Sequence, residues 1–129
     1  MKQPTILVAE DEFLIRDGYV CPLLAPHFDI VAAVGDGGEA VEAAEQHRPA
    51  IVLLDISLPG VRGFEAARRI LASQPDCKVL FVSNYAERAL VEEARAMGAS
   101  GYVLKARITS ELIPAIQTAL AGQFYQSVF

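Results

Sequence analysis

The sequence predicts an α/β domain built on a five-stranded parallel sheet with helices on both faces. Short β-branched or aliphatic runs recur between Thr5 and Leu104, each followed by a longer segment with helical spacing of apolar residues. That alternation implies parallel strands joined by crossover helices. Two runs, Ile51 to Leu54 and Val79 to Val82, are almost wholly apolar, the pattern of central strands covered on both faces. The 129 residues, 53% hydrophobic, suit one domain whose core needs neither disulfides nor a structural metal.

The predicted strands are Thr5 to Ala9, Asp29 to Val34, Ala50 to Leu54, Lys78 to Val82 and Gly101 to Leu104. The predicted helices run over Glu12 to Ala25, Gly37 to Gln46, Gly63 to Ser73, Tyr85 to Met97 and Thr109 to Ala121. Asp36 with Glu39, and Asn84 with Glu87, have the spacing of capping boxes that satisfy the free amides at a helix start. Pro22 and Pro114 fall inside the first and last helices, so a kink or a shifted boundary is expected at both.

Composition narrows the function. Eleven Lys plus Arg against 16 Asp plus Glu give a net charge of -5, the wrong sign for coating a phosphate backbone, so direct nucleic-acid binding is not expected. The apolar runs are too short to span a bilayer and no apolar leader follows Met1 and Lys2, which predicts a cytoplasmic chain without a membrane segment. Cys21 and Cys77 lack a second ligand at metal spacing and are read as buried reduced thiols. His27 and His47 sit beside prolines at loop or helix-end positions and carry no assigned chemistry.

In an open parallel sheet, ligands gather beyond the carboxyl ends of the strands. Read there, the first strand ends in Glu10 and Asp11, the third in Asp55, the fourth in Ser83 and the fifth in Lys105. If the strand order is 2-1-3-4-5, three carboxylates converge on one rim, an arrangement that repels itself unless a cation lies among them. Hard oxygen donors of this kind suit Mg²⁺, which keeps several waters and completes its shell with phosphate oxygens. Lys105, one of only three lysines, can pair with Asp55 at rest and with a phosphoryl oxygen later, and Ser83 adds a hydroxyl donor. Carboxylate nucleophile, metal, ammonium and hydroxyl together make a phosphoryl-transfer constellation.

Four stretches, Ala9-Glu10-Asp11-Glu12, Leu53-Leu54-Asp55-Ile56-Ser57-Leu58-Pro59-Gly60, Val82-Ser83 and Gly101-Tyr102-Val103-Leu104-Lys105, resemble the receiver domain of two-component response regulators, which has a flavodoxin-like (βα)5 fold. Residues Gly98 to Ala106, Glu111-Leu112-Ile113 and Gly122-Gln123-Phe124-Tyr125 look most like the subfamily that precedes a LuxR/NarL-type DNA-binding module. The resemblance covers essentially the whole chain, with residues 1–121 as the receiver and 122–129 as a tail or the start of a linker. It implies that Asp55 accepts a phosphoryl group from a sensor histidine kinase, a phosphotransfer protein or a small acyl phosphate. Asp11, Asp55 and the backbone carbonyl of Ser57 would bind Mg²⁺ directly, and Glu10 through a water. Lys105 would hold a phosphoryl oxygen and Ser83 would swing toward it. Tyr102 would then turn inward, remodelling the face of the fourth helix, fifth strand and fifth helix. Such a switch shifts a population between two packings by a few kcal/mol and is not a turnover enzyme.

The chain departs from the family pattern in places. Glu10 stands where Asp is commoner, Asn84 follows Ser83 where Ala or Gly is favoured, and Ala106 replaces a proline that often follows the lysine through a cis bond. A cis bond before alanine would cost about 3 to 4 kcal/mol, so a trans bond or strain is expected. Ser57 and Tyr85 lie where they bear on the lifetime of an adduct. Blander roles compete: Ser83 as a helix cap, Tyr102 as a packed strand aromatic, and Phe124, Tyr125 and Phe129 as packing against the last helix. An aspartyl-phosphate phosphatase would need a second acid at Ser57, and a flavin-binding protein would need a phosphate loop where Glu10-Asp11-Glu12 stands. A stand-alone receiver, a receiver acting through protein contacts without phosphate, and a homodimer remain open alternatives.

Overall fold

The computed structural model describes residues 3–129; Met1 and Lys2, and with them the reading of an absent leader, lie outside the described residues. A parallel sheet forms the middle layer, with strands β1 (Thr5–Ala9), β2 (Asp29–Val34), β3 (Ile51–Asp55), β4 (Lys78–Ser83), β5 (Gly101–Leu104) and β6 (Tyr125–Gln126). The spatial order is β2-β1-β3-β4-β5-β6, so the 2-1-3-4-5 order expected for the first five strands holds. The alternation along each strand explains the layers. Leu7, Val52, Leu54, Val79, Phe81 and Tyr102 pack on one face beneath helices α2 (Gly37–His47), α3 (Gly63–Ser73) and α4 (Arg88–Ala96). Ile6, Val8, Ile51, Leu53, Leu80 and Val103 pack on the other with α1 (residues 13–24) and α5 (Ile108–Leu120). Among the described residues no helix is long and apolar enough to cross a membrane.

Several elements differ from the sequence reading. Helix α1 is not one α-helix over Glu12 to Ala25 but three consecutive segments: Phe13–Ile15, a π-helical Arg16–Val20 and Cys21–Leu24. Pro22 has no N–H to offer Gly18, and its ring would crowd that carbonyl, so the chain widens into a π turn just ahead of it. Helix α4 begins at Arg88 rather than Tyr85, and its N-cap is Glu87 with no side-chain cap bond, so the Asn84 capping box does not form. Tertiary bonds decide this: Ser83 Oγ accepts from the Tyr85 amide at 2.9 Å and the Tyr102 hydroxyl donates to the Tyr85 carbonyl at 2.6 Å, holding residues 84–87 out of the helix. The other box does cap, with Asp36 Oδ1 accepting from the Glu39 amide at 2.7 Å.

Helix α5 runs through Pro114, and both Pro114 and Ser110, whose carbonyl loses its partner, are exposed, so the missing bond falls on the solvent face. The Lys105–Ala106 bond is trans, as are all peptide bonds among the described residues. Cys77 is buried with its thiol pushed up to about 11 by burial, whereas Cys21 is only half-buried. The sixth strand lies in the segment expected to be a tail. Two residues are too few to carry a strand signal, and the pairing is supplied by the free edge of β5.

Gly63 seats α3 directly against the strand end that carries Asp55. A Cβ there would strike the Asp55 carbonyl and Ile56 Cα, and the Gly63 amide donates to the Ile56 carbonyl at 3.1 Å. Gly63→Ala is therefore expected to destabilise the fold by about 1–3 kcal/mol in urea unfolding, as overpacking against backbone does. Wild-type stability would show that α3 can move away freely.

Candidate functional site

The sheet order puts the ends of β1 and β3 side by side, and Glu10, Asp11 and Asp55 meet at that edge. One carboxylate oxygen of each lies within 4.8 Å of the others. Asp55 is 3% exposed and Glu10 4%, while Asp11 is open to solvent. The last residue of β3 is Asp55 itself, one position later than the sequence reading ended the strand, and likewise Ser83 closes β4. Both are thus fixed by ladder bonds rather than carried on mobile loops.

Each buried acid is already occupied. Asp55 Oδ1 accepts from the Ser57 amide at 3.0 Å and Oδ2 from Lys105 Nζ at 3.0 Å. Glu10 Oε2 accepts from the Glu12 amide at 3.0 Å and Oε1 pairs with Lys105 Nζ at 3.0 Å. Lys105, its side chain 8% exposed, also reaches Glu12 at 3.4 Å. The single ammonium therefore sits among three carboxylates.

The electrostatics follow from that geometry. Burial lifts the Glu10 carboxyl to about 7; the Glu12 amide and Lys105 pull it down, and the Asp55 charge adds to the rise. For Lys105, burial disfavours the charge, but hydrogen bonds to Glu10 and Asp55 outweigh it and raise the ammonium above its usual range. These donors fit a small divalent cation: all are carboxylate oxygens, one of the three acids faces solvent, and the negative charge exceeds what one ammonium balances.

Ser83 lies beside this group at the end of β4, 1% exposed, with its oxygen on the Tyr85 amide. It opens a turn instead of capping α4. Tyr102 is wholly buried, with its hydroxyl on the Tyr85 carbonyl and its ring edge-on to Phe129 at 6.3 Å between centroids. The inward turn that the resemblance attaches to activation is already present. The phenol finds an acceptor inside and the C-terminal segment covers the ring. Asn84 and Tyr85 are exposed on the rim.

Two neighbours escaped the sequence reading as contributors. Glu12 belongs to the Ala9-Glu10-Asp11-Glu12 stretch without an assigned role there, and its contact with Lys105 crosses 93 positions of chain. Arg16 Nη1 donates to the Glu10 carbonyl at 3.3 Å from the first π turn, a position set by the irregular helix.

Comparison with known proteins decides the family, since residues 6–117 match the response regulator receiver domain. The chain belongs to the response regulator receiver domains. Curated relatives of this receiver include the transcriptional regulatory protein PdtaR of Mycobacterium tuberculosis, 41% identical over 90% of this chain and 56% of that protein. Another is the transcriptional regulatory protein DegU of Brevibacillus brevis, 38% identical over 93% of this chain and 51% of that protein. The receiver thus spans about half the length of the curated relatives it matches. Among solved structures, a LuxR-family two-component response regulator from Aurantimonas sp. SI85-9A1 superposes with a TM-score of 0.88 at 33% identity, covering 96% of this chain and 89% of that one. The receiver domain of the response regulator NarL from Mycobacterium tuberculosis gives 0.88 at 29% identity, over 95% and 100%.

Because Glu10 titrates near 7 in the fold and near 4.5 when unfolded, its neutral form stabilises the receiver fully at low pH. That contribution is lost as pH rises through about 7. In metal-free buffer, raising the pH from 5 to 8 is expected to cost the wild type at most about 3 kcal/mol more than it costs Glu10→Gln. Urea unfolding at both pH values checks this, and parallel profiles would contradict it.

Proposed function

We propose that this receiver is a Mg²⁺-dependent phosphoacceptor, phosphorylated on Asp55 by a sensor histidine kinase or a phosphotransfer protein. The observation that carries the reading is Asp55 itself: a buried carboxylate at a strand end, joined to Lys105 at 3.0 Å and grouped with Glu10 and Asp11. Asp11 and Asp55, with the Ser57 carbonyl, would hold the metal, and Glu10 would reach it through a water. Mg²⁺ in that place would neutralise charge on the phosphoryl oxygens.

The chain's own residues account for the rest. A carboxylate oxygen of Asp55 attacks phosphorus; the new P–O bond forms as the bond to the donor's imidazole nitrogen or acyl oxygen breaks, and the donor leaves with that electron pair. Lys105, released from Asp55 Oδ2, follows the charge to a phosphoryl oxygen. Ser83, whose oxygen accepts from the Tyr85 amide, retains its own proton to donate to the same group. Hydrolysis later breaks the P–O bond and restores Asp55, so the protein is a switch that modifies itself and not a turnover enzyme.

Surface beside the site suits the donor. A cleft of about 250 Å³ is bounded by Ile15, Tyr19, Lys105, Ala106, Ile108 and Thr109, of which Lys105 bonds the acceptor, and Phe13, Leu14 and Tyr19 on α1 are exposed. The relatives' names and the LuxR- and NarL-family neighbours support a further proposal: this receiver controls transcription in the cytoplasm, with DNA reached only through a separate output module. The net charge of -5 agrees with a receiver that does not touch DNA itself.

Incubation with acetyl phosphate and Mg²⁺ is expected to add the mass of one phosphoryl group, mapped by peptide mass spectrometry to Asp55. Asp55→Asn or chelation of the metal is expected to abolish it. No adduct on the wild type, or an adduct that persists in Asp55→Asn, would overturn the assignment.

A further inference from the structure

The C-terminal segment does more than fill an edge. Tyr125 N–H donates to the Ser100 carbonyl at 3.1 Å, just ahead of β5, and Ser127 N–H to the Tyr102 carbonyl at 3.0 Å, so the segment 125–127 is bonded along β5 as far as Tyr102. The next ladder position is taken by a side chain. Ser127, completely buried, accepts a hydrogen bond from the Leu104 amide on its hydroxyl oxygen at 3.1 Å and donates one to Glu111 Oε1 at 2.6 Å. Leu104 directly precedes Lys105, and Glu111 lies on α5, so one hydroxyl ties the end of β5 to the last helix at the point where the site's ammonium departs. Two residues on, Phe129 stands against the Tyr102 ring, and at the other end Phe124 lies under the Arg95 guanidinium at 4.2 Å.

We propose that Ser127 and Phe129 form a latch that positions the Tyr102 to Lys105 end of β5. The latch favours capture of a phosphoryl-like group at Asp55. The physical reason is continuity. Lys105 must point at Asp55 from a strand end held in one place, and Tyr102 fixes the Tyr85 carbonyl, whose residue also binds Ser83. A docked segment holds both partners of the incoming group in position, and a loosened one lets both drift. By linkage, a group captured at Asp55 tightens the segment by the same factor. Ser127 is a positioning residue here, since it touches none of the reacting atoms. The proposal rests on the phosphoacceptor reading and adds a regulatory element to it.

The test uses the full chain with beryllofluoride and Mg²⁺ as the probe. Ser127→Ala and, separately, the half-exposed Phe129→Ala are expected to weaken beryllofluoride binding by about five- to tenfold. Affinity for Mg²⁺ alone should stay within about twofold, because the segment 125–129 bonds to none of Glu10, Asp11 and Asp55; a merely destabilised fold would lose both. In the wild type, beryllofluoride should slow hydrogen exchange at the Leu104 and Ser127 amides. Equal beryllofluoride affinity in the wild type and both variants, or parallel losses of beryllofluoride and Mg²⁺, would overturn the latch alone. Failure of the wild type to bind beryllofluoride would overturn the phosphoacceptor reading and the latch with it.

Discussion

One ammonium among buried carboxylates is the interaction on which the site depends. Lys105 Nζ stands 3.0 Å from both Glu10 and Asp55, in a place from which water is largely excluded. Removing that charge would leave two acids facing each other without a counter-ion, and a buried charge that loses its partner is far more costly than an exposed one. The arrangement is nonetheless short of positive charge. Glu10 relieves part of the imbalance by holding its proton near neutral pH, and a divalent cation would relieve the rest. The same excess of negative charge is what a divalent cation at this edge would offset.

Topology makes the convergence possible. Glu10 and Asp55 are 45 positions apart and Lys105 lies a further 50 along, yet parallel pairing of β1 with β3, β3 with β4 and β4 with β5 brings all three to one edge. Asp55 and Ser83 are the last paired residues of their strands, so their backbones are set by the ladder. Gly63 lets α3 close over the back of Asp55. On the far side, Ser127 fixes the final amide of β5. The pocket is rigid where charge must be aimed and open at Asp11, where solvent enters.

What the sequence made legible was whatever depends on local pattern and strand ends. The five strands, their order and the acid, hydroxyl and ammonium positions follow from apolar runs and from the rule that sites lie beyond carboxyl ends. What escaped was set by contacts between distant residues. The segment 84–87 has the spacing of a helix start, but Ser83 and Tyr102 bind Tyr85 from both sides and delay α4 to Arg88. Pro22 signalled trouble in α1 without specifying a π turn. Strand β6 has no periodicity of its own and exists because β5 offers an edge. Tyr102 is inward for the same reason: its ring is covered by a segment that sequence reading treated as a tail.

Charge balance at Lys105 governs the site. It is tested most directly by the thermal stability of Lys105→Met against the wild type, measured at pH 8 with chelator and then with saturating Mg²⁺. The loss expected without metal is about 3 kcal/mol, in the range for a buried ion pair missing one member. Mg²⁺ should stabilise the variant more than the wild type, because it replaces the missing positive charge. Unchanged stability in chelator together with equal stabilisation by Mg²⁺ in both proteins would contradict a site held by the Lys105 charge.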